Sequence, residues 1–190
     1  MAKVLDRLDP LARPSLRLAE LLRVLHDREI DWVLSGSTVL AVYGADLESN
    51  DLDVVPSPEP VYLRRIADLL VELEAVPGHF PDWADSTSLD WCRAWRPEPP
   101  TLHQLDHLFV TRLGMLDVPP EITGTYTQLR AGATQLDLFG VPVWVCDPDE
   151  VLSRLPARPR PKDRNRAATY EALRHRLRTD RRPHGLNRFQ

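Results

Sequence analysis

The chain has 190 residues, 43% of them apolar, with 24 Lys and Arg against 28 Asp and Glu, for a formal charge of −4. That length suffices for one well-buried core, alone or with a helical extension. No apolar run is long enough to span a bilayer and MAKVLDRLDP lacks a secretory apolar core, so a cytoplasmic protein with no membrane partner is expected. Two cysteines, Cys92 and Cys146, form neither a disulfide framework nor a zinc-site spacing, and are expected reduced and structural.

Pro14 to Arg28 has apolar residues at helical spacing and predicts an amphipathic first helix. Asp31 to Ser35 (DWVLS) reads as a short buried strand that runs into a turn at Gly36. Ser37 then stands at the expected N-cap of a helix through TVLAVYG, closed by Gly44. A strand that ends in Gly-Ser and opens a helix offers backbone N–H groups to an anion such as a triphosphate.

Asp51 to Val55 (DLDVV) predicts the next strand, with Asp51 and Asp53 on one face and Leu52 and Val54 on the other. Carboxylates this close repel unless a cation lies between them, and Mg²⁺ binds through one or two carboxylates while substrate phosphates fill further positions. A bare D-x-D by itself reads first as a solvated edge strand with two surface aspartates. The second such pair, Asp147 and Asp149 in DPDEVL, is a helix start, with Asp147 as N-cap, Pro148 at the first position and Glu150 at the third. What distinguishes Asp51 and Asp53 is the upstream Gly36-Ser37 turn.

Val61 to Ala75 repeats the amphipathic pattern and stops before Pro77-Gly78. From Gly78 to Pro100 a loop is expected, with a short strand at SLDWCRAW; Trp83, Trp91 and Trp95 there read either as buried packing or as stacking surfaces for a nucleobase. His107 to Val118 (HLFVTRLGMLDV) predicts a hairpin turning at Arg112-Leu113-Gly114, its second arm carrying Asp117 between Leu116 and Val118. An acid in that setting costs free energy unless partnered, as metal coordination would do. Asp106, on the first arm, is the rival third carboxylate and Asp90 a more distant one. His103 and His107 beside it read as ordinary surface or hydrogen-bonded histidines on alternating strand positions.

Tyr126 to Ala133 predicts a short helix, Gln135 to Cys146 a hairpin through Phe139-Gly140, and Asp149 to Leu155 and Arg166 to Arg178 the closing helices, joined by a Pro/Arg linker from Pro156 to Pro161. Charge divides unevenly: residues 1–150 carry 12 Lys and Arg against 25 Asp and Glu, the remaining forty 12 against 3. Residues 1–150 are therefore read as the core and 151–190 as a basic helical extension packed on it, disordered after about Thr179. Such an extension suits a polyanion, either a nucleoside triphosphate or an RNA backbone. Lys162 is one of only two lysines in the chain, and its compact ammonium can share a proton as Arg does not readily do.

Gly36-Ser37, a spacer and Asp51-Leu52-Asp53-Val54 resemble the signature of the DNA polymerase β-type nucleotidyltransferase superfamily. The resemblance implies an α/β fold, a mixed sheet flanked by helices, in which the Gly-Ser loop binds nucleotide phosphates and Asp51, Asp53 and a third carboxylate hold metal. From Asp149 onward, the helix leading to Arg160, Pro161, Lys162 and Asp163 resembles the C-terminal motif of the AbiEii-like and MenT-like nucleotidyltransferase toxins. There the Lys contacts phosphates and the Asp supports the site, which puts Lys162 and Asp163 in those roles. Where shorter members carry a Lys near the end of the preceding helix, this chain has Arg154, which can still neutralise a phosphate bidentately.

The implied activity is transfer of a nucleoside monophosphate from an NTP to RNA at the tRNA 3′ end, with Mg²⁺ (Mn²⁺ as an alternative ion), by a toxin with a cognate antitoxin protein. Asp51, Asp53, Asp117 and Lys162 would be catalytic, and Gly36, Ser37, Arg154, Lys162 and Asp163 nucleotide-binding. A nucleotidyltransferase that modifies a protein hydroxyl or an aminoglycoside stays open. So does a non-catalytic nucleotide-binding protein, against which the intact Asp53 counts.

Overall fold

A computed structural model describes residues 8–82, 87–118, 124–154 and 161–183, the side chains of residues 161 and 162 excepted. Trp83, Arg160, most of the Pro/Arg linker and residues 184–190 of the tail expected to be disordered lie outside that set, while residues 180–183 lie within it. Two short β-strands at the centre decide the architecture. β1 (Trp32–Ser35) is buried at every position, so both faces of the sheet are covered there. It pairs antiparallel with β2 (Asp51–Pro56), which makes β2 a central strand and not a solvated edge.

Around this pair a seven-stranded mixed sheet runs in the order β3-β4-β5-β2-β1-β7-β6. β2 lies parallel to β5 (Gly114–Asp117), and β1 parallel to β7 (Val141–Val145). β3 (Val76–Pro77) and β4 (Leu108–Thr111) extend one side as antiparallel neighbours, and β6 (Thr134–Leu138) closes the other. Both edges are protected: β3 is two residues long and holds a proline, while β6 exposes Thr134, Gln135 and Asp137.

The helices follow the apolar spacing. α1 (Leu18–Asp27) buries Leu18, Leu21, Leu22 and Leu25, and α3 (Pro60–Glu72) buries Leu63, Ile66, Ala67 and Leu70, each set spaced three and four apart. α1 begins later than the sequence predicts because the preceding segment runs across the β4–β5 turn, where the Arg17 N–H donates to the Leu113 carbonyl at 2.9 Å. α2 (Gly36–Val42) is buried almost all round. It ends in a Schellman turn: Gly44 has φ +89°, its N–H donates to Ala41 and that of Ala45 to Leu40.

The expected strand at SLDWCRAW is instead α4 (Leu89–Ala94). The Ser88 hydroxyl accepts from the Trp91 N–H at 3.2 Å, and buried Cys92 and Trp95 lie three residues apart, so a local cap and a helical period prevail. A similar Thr101 cap starts the one-turn α5 (Leu102–Leu105). His103 is therefore on a helix, not on alternating strand positions. α6 (Tyr126–Ala131), α7 (Pro148–Ser153, with Asp147 as N-cap), α8 (Pro161–Asn165) and α9 (Ala167–Thr179) complete the chain, and α9 adds Tyr170, Leu173 and Leu177 to the main core. The β6–β7 turn has positive φ at Phe139 and Gly140, as a two-residue hairpin loop requires.

His107 lies among Trp91, Trp95 and Phe109 with ring centroids 5.2, 6.0 and 5.8 Å away. Burial among these rings, assisted by nearby His103, pushes its pKa down from 6.5 to about 4. The unfolded chain therefore takes up this proton first, so the stabilisation is complete above pH 6.5 and is lost as pH falls toward 4. Melting curves of wild type and His107→Leu should converge, or cross in favour of the variant, over that window. A constant difference in Tm would contradict the assignment.

Candidate active site

Asp53 is held from two sides. Antiparallel pairing sets it opposite Ser35 on β1, and parallel pairing sets it opposite Asp117 on β5, so the three side chains share one face of the sheet. Asp51, two residues before Asp53, belongs to the same face, while Leu52 and Val54 are fully buried on the other. The Gly36 backbone then closes over the carboxylate. A Cβ at position 36 would lie 1.8 Å from Asp53 Oδ2 and 2.2 Å from Cγ, and Gly36 also has φ +68°. Both the space and the conformation therefore require glycine.

The N-cap of α2 is Ser35, one residue before Gly36, and its side chain makes no capping bond. Ser37, expected to be the cap, is two residues past it and inside the helix; its Oγ lies 2.7 Å from Ser49 Oγ instead. Ser49 Oγ also donates to the Asp51 carbonyl at 2.7 Å, and Thr38 Oγ1 approaches the same carbonyl at 3.4 Å. The Gly-Ser turn and the first residue of β2 are thus joined by hydroxyl contacts that apolar periodicity does not reveal.

The C-terminal helices brace the α2–β2 connection. Arg176 of α9 donates to the carbonyls of Tyr43 and Gly44, the latter at 3.2 Å, and its guanidinium fills the space a Gly44 side chain would need. Arg166 donates to the Glu48 carbonyl at 2.8 Å. Asp163, on α8, is only 5% exposed. Lys162 is on the first turn of α8, its side chain outside the described residues. Arg154, the C-cap of α7, pairs with Glu150 at 2.9 Å and packs against Gly124; none of its described contacts reaches the Gly36 turn.

The other candidates separate. Asp90 is on α4 with a 98% exposed side chain, and Asp106 stands at the end of α5, before β4 begins, outside the strand ladder that aligns Asp53 with Asp117. Trp95 is buried against Phe109, which favours packing over base stacking, whereas Trp91 is set edge-on to His107 and stays 39% exposed. Cys146 lies behind the turn, 3.9 Å from Ser35 Oγ; burial, reinforced by Asp147, Glu150 and Asp53, pushes its thiol up to about 12. Burial therefore favours the protonated thiol near neutrality, as suits a structural cysteine.

Among the described residues no group of three or more His, Cys, Asp and Glu side chains is placed to hold a metal ion by itself. The all-oxygen donor set on β2 and β5 fits Mg²⁺, which takes one or two carboxylates with substrate phosphates and water rather than a full protein cage. One cleft of about 500 Å³ lies between α7 and α9, bordered by Asp149, Ser153, Arg174, Arg178 and Arg181. A smaller one of about 250 Å³ is bordered by Asp31, Trp32 and Trp144. Neither is lined by Asp51, Asp53 or Asp117. Strand register and charge, not cleft volume, mark the carboxylate strand as the candidate centre.

No protein-family model matches the chain, and a search of curated proteins gives no match. Among solved structures, the chain is similar to the solution structure of the antibiotic-resistance factor ANT(2'')-Ia, with a TM-score of 0.47 and 12% identity over 86% of this chain and 90% of that one.

The contact between Gly36 and Asp53 is open to a double-mutant cycle. Gly36→Ala should destabilise the wild type by more than about 2 kcal/mol, combining left-handed strain with displacement of the carboxylate, but by only about 1 kcal/mol in an Asp53→Ala background. Chemical denaturation of the four proteins measures the coupling. Strictly additive penalties would refute the contact.

Proposed function

We propose that the chain is a Mg²⁺-dependent nucleotidyltransferase that moves a nucleoside monophosphate from an NTP to an RNA hydroxyl, the 3′ end of tRNA, as the toxin of a toxin–antitoxin pair. The observation that carries the transfer reading is the placing of Asp53 beside Asp117 under a turn that only glycine can make. In this reading Asp51, Asp53 and Asp117 would offer carboxylate oxygens to the metal, with the substrate phosphates completing its shell; when bound it would polarise the α-phosphate and lower the pKa of the attacking hydroxyl. Asp117 takes the hydroxyl proton as the new P–O bond forms and the bond to pyrophosphate breaks. The backbone N–H groups at Gly36 and Ser37 hold the triphosphate, and Lys162 and Arg154 neutralise it, with Asp163 supporting Lys162.

The RNA acceptor is favoured by charge. Residues 151–190, read as an extension on the 1–150 core, carry 12 basic against 3 acidic side chains, and Arg174, Arg178 and Arg181 border the larger cleft. The toxin role and the cognate antitoxin rest on the resemblance of the segment from Asp149 to Asp163.

Incubation with each α-labelled NTP, Mg²⁺ and total tRNA or cell lysate should put label on tRNA, and Asp53→Ala should abolish it while keeping the fold. Label on protein bands alone would overturn the RNA acceptor, and an undiminished Asp53→Ala rate would overturn the metal assignment. Arg174→Ala combined with Arg178→Ala should weaken RNA binding and lower the slope of log affinity against log salt by about 2. An unchanged slope would remove the cleft from the RNA path.

A further inference from the structure

The Ser37–Ser49–Asp51 contacts have a fixed direction. A carbonyl oxygen only accepts, so the single hydroxyl proton of Ser49 is committed to the Asp51 carbonyl at 2.7 Å. The 2.7 Å contact between Ser37 Oγ and Ser49 Oγ must then be donated by Ser37. Ser37 therefore has its proton turned inward, and the lone pairs that remain are its only hydrogen-bonding capacity on the other sides of the oxygen.

We infer that Ser49 is a positioning residue that holds the Ser37 hydroxyl in one rotamer and locks the Gly-Ser turn to the first residue of the carboxylate strand. Three observations support it. Both serines are half-buried, so these bonds compete less with water than surface bonds do. The loop that carries Ser49 is itself fastened, through Arg166 to the Glu48 carbonyl at 2.8 Å and through Arg176 to the Tyr43 and Gly44 carbonyls. Thr38 Oγ1, 3.4 Å from the Asp51 carbonyl, is too distant to replace Ser49 fully.

The inference rests on the nucleotide-binding reading of the turn. A prearranged turn spends less ordering free energy when a triphosphate arrives, so its loss falls on binding rather than on the chemical step. Without Ser49, Ser37 regains its rotamers and the turn loses its tie to Asp51.

The test compares wild type, Ser49→Ala and Ser49→Thr for binding of a non-hydrolysable triphosphate with Mg²⁺ by calorimetry, and for KM and kcat in transfer. Ser49→Ala should weaken triphosphate binding and raise KM about five- to tenfold with kcat within about twofold, and Ser49→Thr, which keeps the hydroxyl, should restore both. Unchanged affinity and KM in Ser49→Ala, whatever its Tm, would overturn the inference alone. A wild type that binds no triphosphate would overturn the reading of the site, and this inference with it.

Discussion

The Asp53 carboxylate occupies the space where a side chain at position 36 would begin, and the rest of the structure is arranged around that contact. It forces glycine at the end of β1, and the positive φ there turns the chain directly from a central strand into a buried helix. A half-buried carboxylate in contact with main chain is costly in isolation. The strand register sets the polar Ser35 on one side of it and a second carboxylate, Asp117, on the other, and the repulsion between the two acids makes the face one where a cation would be welcome.

The basic C-terminal helices contribute more than net charge. α9 buries Tyr170, Leu173 and Leu177 in the main core, and Arg176 and Arg166 spend hydrogen bonds on carbonyls of the α2–β2 connection. Those carbonyls include ones at the C-terminal end of α2, where a cation is favourable and helical partners are missing. The extension therefore fixes the connection between the Gly-Ser turn and Asp51, whatever anion its remaining arginines attract.

Elements with strong periodicity were readable in advance. DWVLS and DLDVV became β1 and β2, HLFVTRLGMLDV became the β4–β5 hairpin, and Phe139-Gly140 supplied the β6–β7 turn, because alternation, glycine and apolar spacing are local signals. The strand expected at SLDWCRAW failed because one serine hydroxyl capped a helix through Cys92, a side-chain bond that pattern alone does not weigh. Ser35 and not Ser37 is the N-cap residue of α2, because Gly36 is the first residue of the helix although a glycine after an apolar run reads as the end of a strand. At the candidate site, Gly36, Asp51 and Asp53 stand out by residue type and spacing, and Asp117 with Asp106 as its rival. Ser49, Arg166 and Arg176 do not: their partners are backbone carbonyls or a hydroxyl brought near by the fold, and such contacts leave no spacing rule in the chain.

In the proposed reading the carboxylate strand and a triphosphate together make one cation site. Manganese electron paramagnetic resonance measures this directly: Mn²⁺ is titrated into the full chain with and without a non-hydrolysable NTP analogue, then into Asp53→Asn, which keeps the shape and removes the charge. The account predicts a bound Mn²⁺ signal that tightens with the nucleotide in the wild type beyond what the nucleotide gives alone, and that is lost in the variant. Equal Mn²⁺ binding by both proteins, or none by the wild type with nucleotide present, would contradict it.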